Sequence, residues 1–213
     1  LFLRLLGGDA NYPTETTITS VSRDFTIKLG DSAEIVTEVN SSKKVPPTGT
    51  LYWRSEGTQE AWLEITVDNR DRYIGEIEKI TKETQYRLEI GDDRTDWFTI
   101  SVSPKPVFTA TSVTLTYPEY LDLNDSTEEA LDLSVPEGTT IKWTLQCDPA
   151  ITDLNITVGE EKFAAEVSVD GTTAVFSWPK PGTELTKGFT YNFHYIKDKK
   201  HGFEYEVPGE QEV

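Results

Sequence analysis

The sequence predicts an all-β protein of two tandem β-sandwich domains, and three observations lead there. Short runs rich in Val, Ile, Thr, Tyr, Phe and Trp recur between turn clusters, while apolar residues at helical spacing are almost absent. A proline-bearing segment, Ser103-Pro104-Lys105-Pro106, stands near the midpoint of the 213 residues. The two halves carry the same alternation of apolar residues at a constant offset. Two domains of roughly 100 residues are the ordinary solution at this length.

Strands are expected in the first half at 17–21, 25–29, 33–39, 49–54, 62–67, 73–80, 85–90 and 97–102, with turns at Gly30-Asp31, Pro46-Pro47 and Gly91-Asp92-Asp93. In the second half they are expected at 112–117, 139–147, 154–158, 162–167, 172–178, 189–196 and 202–207, with one helical turn at 126–133. Two prolines in four residues cannot sustain a central strand, and they stiffen the connection. The domains are therefore set at 1–103, with a linker over 1–14, and at 104–213.

The repeat is specific. Shifted by 105 residues without a gap, 85–102 aligns with 190–207. Tyr86 falls on Tyr191, Leu88 on Phe193, Ile90 on Tyr195, Asp93 on Asp198, Phe98 on Phe203, Ile100 on Tyr205 and Val102 on Val207. Alternate matching is what two hairpins with one buried face require. Ile80 and Leu185 each stand six residues before their tyrosine.

An aliphatic residue, Tyr six later and a core residue two beyond resembles the E–F corner and F strand of immunoglobulin-like and fibronectin type III domains. The resemblance implies that the hydroxyls of Tyr86 and Tyr191 bond to nearby backbone and fix a corner between sheets. It also places Leu88 and Phe193 where a true immunoglobulin domain carries its second cysteine, making this a disulfide-free variety. Trp53 and Trp143 are the candidates for the sandwich centres.

A second resemblance rests on Arg4-Leu5-Leu6-Gly7-Gly8, the run from Tyr86 to Asp92 leading into Trp97-Phe98, Pro106-Val107, and Tyr117-Pro118-Glu119-Tyr120. These motifs are similar to those in the periplasmic part of large bacterial membrane-anchored proteins, a family of unknown function. The implication is an extracytoplasmic location, periplasmic or at the cell surface, with membrane contact only through other segments of the parent. Absence of methionine fits a processed or excised piece of such a parent.

Composition narrows the partners. A net charge of −17 repels phosphate backbones and anionic membrane surfaces, so nucleic acid is not an expected partner. The expected partner is another protein or neighbouring domains of the same chain. Cys147 is the only cysteine, and its alternation with Ile141, Trp143 and Leu145 marks it as a core residue.

Chemistry has little to use. His194 and His201 are the only histidines, neither has a ligand-spaced companion, and no Gly-x-Ser-x-Gly run occurs. No catalytic or cofactor-binding residue is assigned and no enzyme activity is expected. Two acidic loops supply enough oxygens for calcium, one at Asp92, Asp93 and Asp96 and one at Asp122 and Asp125, though turn chemistry accounts for both. Trp62, Trp97 and Trp178 stand near strand ends as candidate glycan platforms. Tyr117-Pro118 suggests an open edge at 112–117 for strand addition. The expected function is a non-catalytic spacer or protein-interaction module, with glycan or calcium binding as the alternative.

Overall fold

The computed structural model describes residues 15–68, 70–207, 209 and 211–213. The expected linker over 1–14, with the Arg4-Leu5-Leu6-Gly7-Gly8 motif, lies outside the described residues. The fold class is all-β, and the chain divides into two compact units between Ser103 and Pro104.

Unit 1 contains β1 (Thr16–Val21), β2 (Phe25–Lys28), β3 (Ala33–Ser41), β4 (Thr48–Ser55), β5 (Ala61–Thr66), β6 (Arg72–Ile77), β7 (Thr84–Ile90), β8 (Asp93–Arg94) and β9 (Phe98–Ser103). They form one sheet ordered β1-β3-β6 and a second ordered β2-β9-β7-β4-β5, with β8 on β7. Pairing is antiparallel except between β2 and β9, which run parallel. Strict alternation produces the core: β7 buries Thr84, Tyr86, Leu88 and Ile90 and turns Gln85, Arg87 and Glu89 outward. Ala33, Ile35, Leu51, Ile65, Tyr73 and Ile100 complete it. Gly75 is needed where β6 meets the other sheet, since a Cβ there would lie 2.7 Å from Leu51 Cδ2.

Unit 2 contains β10 (Val107–Thr116), β11 (Ser126–Glu128), β12 (Thr140–Asp148), β13 (Ile151–Val158), β14 (Glu161–Ala164), β15 (Glu166–Val167), β16 (Thr173–Trp178), β17 (Thr190–Asp198), β18 (Glu204–Glu206) and β19 (Gln211–Glu212). The sheets are β11-β10-β12-β16-β15 and β14-β13-β17-β18, with β19 also on β17. Trp143, Ile141, Leu145, Leu154, Ile156 and Tyr191 are among the buried residues between them. Both units have strand orders compatible with an immunoglobulin-like sandwich.

Several expectations need correction. The helical turn expected at 126–133 is instead strand at Ser126–Glu128, because this segment pairs with Val113–Leu115 of β10. A single turn of 3-10 helix lies earlier, at Glu119–Leu121. The strand expected at 162–167 is two strands in different sheets, and Ala165, buried at the crossing, donates its N–H to Leu154 O. The open edge expected at 112–117 is covered over Val113–Leu115 by β11.

The gap-free repeat is also interrupted in space. Tyr191 and Phe193 match Tyr86 and Leu88 as buried positions, facing Val158 and Ile156 where the first unit has Trp53 and Leu51. Then β17 bulges: Phe193 faces Ile156 and Tyr195 faces Asn155, so His194 is the extra residue. Beyond it the alternation changes phase, and buried Ile196 faces Leu154. The hairpins differ as well. Tyr86 faces Phe98, whereas Tyr191 faces Gln211, and Tyr205 faces Ile196.

Candidate functional site

The first acidic loop acts on the backbone. Asp92 accepts the N–H groups of Glu15 (2.8 Å) and Thr16 (2.9 Å), and Asp93 accepts that of Ile18 (2.7 Å). Together they hold the entry to β1 against the turn after β7. Glycine permits the close approach, since Gly91 has φ of +62° and a Cβ there would lie 2.6 Å from Thr16 Oγ1. The bonds from Glu15, then Thr16, hold the Asp92 carboxyl below the ordinary 3.8. Asp96 is exposed on the same loop.

The second loop is dispersed. Asp122 ends the 3-10 turn at φ of 50°, donating its N–H to Glu119 O. Asp125 accepts the Thr116 hydroxyl at 3.1 Å. Among the described residues no group of three or more His, Cys, Asp or Glu side chains is placed to hold a metal ion.

The two tyrosines bond to backbone, but not nearby as the corner motif implies. Tyr86 donates to Arg23 O at 3.3 Å, 63 residues earlier. Tyr191 donates to Leu131 O at 2.6 Å, 60 residues earlier, while accepting the Trp143 indole N–H at 3.0 Å. Each hydroxyl therefore fastens a distant connection. Leu88 and Phe193 are buried beside them. Trp143 is fully buried and stacks on Phe176 at 4.5 Å, whereas Trp53 is half-buried at the core margin.

Cys147 is buried, and that burial pushes its thiol up to about 11. His194 is exposed at the bulge, and His201 packs against Phe203 in the β17–β18 turn. That turn is organised by buried Asp198, which accepts the N–H groups of His201 and Phe203, each at 2.7 Å.

The three candidate platform tryptophans differ. Trp178 is half-buried and stacks on Phe163 at 5.9 Å. Trp97 is half-buried, with the guanidinium of Arg54 4.1 Å and that of Arg87 4.8 Å from its ring centre. Trp62 is 66 % exposed. It belongs to a row that the sequence pattern alone does not disclose. Cross-strand register sets Trp62 opposite Tyr52 and Tyr52 opposite Arg87, with the Arg87 guanidinium 4.9 Å from the Tyr52 ring. In the next row Arg54 donates twice to Gln85 Oε1, at 3.0 and 2.8 Å.

The outer face of β5-β4-β7 is thus a band of stacked aromatic and guanidinium groups ending in an exposed indole. The only signal was alternation: Tyr52 and Arg54 on β4, with Gln85 and Arg87 on β7, occupy the positions opposite in phase to the core. Among the described residues Arg87 Nε is buried there without a hydrogen-bond partner, while Arg87 Nη2 lies 3.8 Å from Glu60 and 3.6 Å from Glu89. Trp, Tyr and Arg are the residues that most often anchor binding surfaces.

The fold and this face define a β-sandwich protein with an aromatic–arginine surface. No family model matches the chain, and no curated protein matches its sequence. Among the described residues no helix is long and apolar enough to cross a membrane.

Proposed function

We propose that the chain is a non-catalytic, extracytoplasmic interaction and spacer module of a larger membrane-anchored bacterial protein, built of two domains of the immunoglobulin and fibronectin type III kind. The observation that carries the reading is the Trp62–Tyr52–Arg87–Trp97–Arg54 band on one sheet face of unit 1. Stacked rings and guanidiniums lose little freedom on contact, which favours their use as anchors. The sandwiches beneath are held by buried cores and by hydroxyl ties to distant backbone, so they present that face on a firm support.

Photocrosslinking in the complete protein, in its own cell, tests this. A crosslinking residue at position 62 should capture a protein partner, while one at exposed Val169 should not. Equal capture at both positions, or none at 62, removes the reading. Location is tested by Val169→Cys, which should react with a membrane-impermeant maleimide once the outer envelope is opened and the inner membrane is intact. Cys147, being buried, gives the low background.

A second reading, glycan binding, is favoured by the open Trp62 ring alone. It predicts that a neutral oligosaccharide quenches tryptophan fluorescence in the parent chain but not in Trp62→Ala.

A further inference from the structure

Open sheet edges are templates for an added strand, and proteins usually blunt them. The edges here are not treated alike. The N–H groups at the entry to β1 are taken by Asp92 and Asp93. In the second unit the outermost strands β11, β14, β15 and β18 are two to four residues long. Strand β5 is six residues long and outermost in its sheet, and among the described residues it pairs with β4 alone. Its sequence, Ala-Trp-Leu-Glu-Ile-Thr, contains neither Pro nor Lys. Two consecutive large apolar residues on it are open, Trp62 at 66 % and Leu63 at 40 %.

We propose that β5 is a docking edge that accepts an extended basic–apolar segment of another protein as an additional antiparallel strand. This rests on the interaction-module reading and names the chemistry of its partner. Charge decides the occupant. Trp62 and Glu64 lie on one face of the edge, and Glu60 stands just before the strand, 3.8 Å from the Arg87 guanidinium, so a partner strand meets carboxylate and indole, then an ion-paired carboxylate. Lys or Arg at the two outer places and an aromatic at the centre complement that face. The opposite face offers Ala61 and Leu63, which suit Val or Ile. A second copy of the chain is the poorer fit. Pairing Trp62 with Trp62 sets Glu60 against Glu64 twice, and pairing Glu64 with itself opposes two carboxylates. Two bodies of net charge −17 also repel one another at a distance.

The test uses the whole chain and a capped peptide, Thr-Lys-Val-Tyr-Val-Lys-Thr. Binding is read by fluorescence anisotropy and located by amide hydrogen exchange. The peptide should bind and slow exchange across Ala61–Thr66. N-methylation of alternate peptide residues on the pairing edge should weaken binding at least tenfold, since those residues can no longer donate to β5. Glu64→Lys should weaken it by a similar factor, and a peptide with Glu in place of the first Lys, the one that faces position 64, should recover binding to that variant. Indifference to N-methylation, protection outside β5, no recovery by the charge-swapped peptide, or no binding up to millimolar peptide each overturns the proposal. The photocrosslinking at position 62 stands apart. Capture there with a failed peptide test keeps the interaction face and discards the strand edge, whereas failure of both discards both.

Discussion

The indole N–H of Trp143 and the hydroxyl of Tyr191 meet at 3.0 Å across the two sheets of unit 2. The hydroxyl donates to Leu131 O, so donor and acceptor capacity are both used. Tyr191→Phe strands a buried indole N–H and a carbonyl, which costs about 1–3 kcal/mol. Tyr86→Phe breaks one longer bond and costs about 0.5–1.5 kcal/mol. Urea unfolding read by exchange of the β17 and β7 amides should show the larger loss in unit 2; equal losses would mean that the indole contact adds nothing.

Acid should loosen the start of unit 1 first. Backbone N–H groups hold Asp92 below 3.8, chiefly those of Glu15 and Thr16. A depressed folded value means the stabilisation is complete above the unfolded value and is lost as pH falls through the folded one. Exchange of the Glu15 and Thr16 amides should therefore accelerate below about pH 4. Asp92→Asn should exchange fast at neutral pH and lose that dependence. Asp170, held at about 2 by the Ser168 hydroxyl and Thr172 N–H, should keep its turn to lower pH.

Alkali acts in the opposite sense. Burial raises the hydroxyls of Tyr86 and Tyr191 above 10.0 and the thiol of Cys147 from 9.0 to about 11. Groups with raised folded values stabilise fully below their unfolded values and lose that contribution as pH rises past them, here from about pH 9 upward. At pH 8 a disulfide reagent should leave Cys147 unmodified and titrate one thiol in denaturant. Rapid native labelling would contradict its placement in the core.

The aromatic–arginine band should contribute to stability by itself. Trp97→Ala removes two guanidinium–ring contacts, a loss of about 1–2 kcal/mol. Arg54→Lys, which retains charge but not the planar fork on Gln85, should cost less than Trp97→Ala. A null result for Trp97→Ala in thermal unfolding would reduce the band to coincidence.

Much of the fold was legible because half-buried strands advertise a period of two. Leu88, Ile90 and Ile100 announced their burial, as did Trp143 and Cys147. What misled was phase. Nothing in Phe193-His194-Tyr195 marks a bulge, since apolar rings flank the inserted histidine. The stretch 126–133 lacks an apolar stripe of either period, so only its pairing with β10 reveals a strand. The candidate face was less legible still. Arg54, Arg87 and Tyr52 lie on outward positions, where any polar residue is permitted, and only cross-strand register brings them into one band.

The parallel pairing of β2 with β9 has a mechanical meaning. Phe25 through Lys28, the second strand of unit 1, lie alongside Ile100 through Ser103, which leave it. Tension drawn between the two ends of that unit would, once β1 had parted from β3, slide these strands past each other and strain the whole row of hydrogen bonds at once. In unit 2 the first strand β10 and the last strand β19 lie in separate sheets, so the same pull works against side-chain packing. Stretched by its two ends, the chain would then yield in sequence, unit 2 giving length first while β2 and β9 still hold.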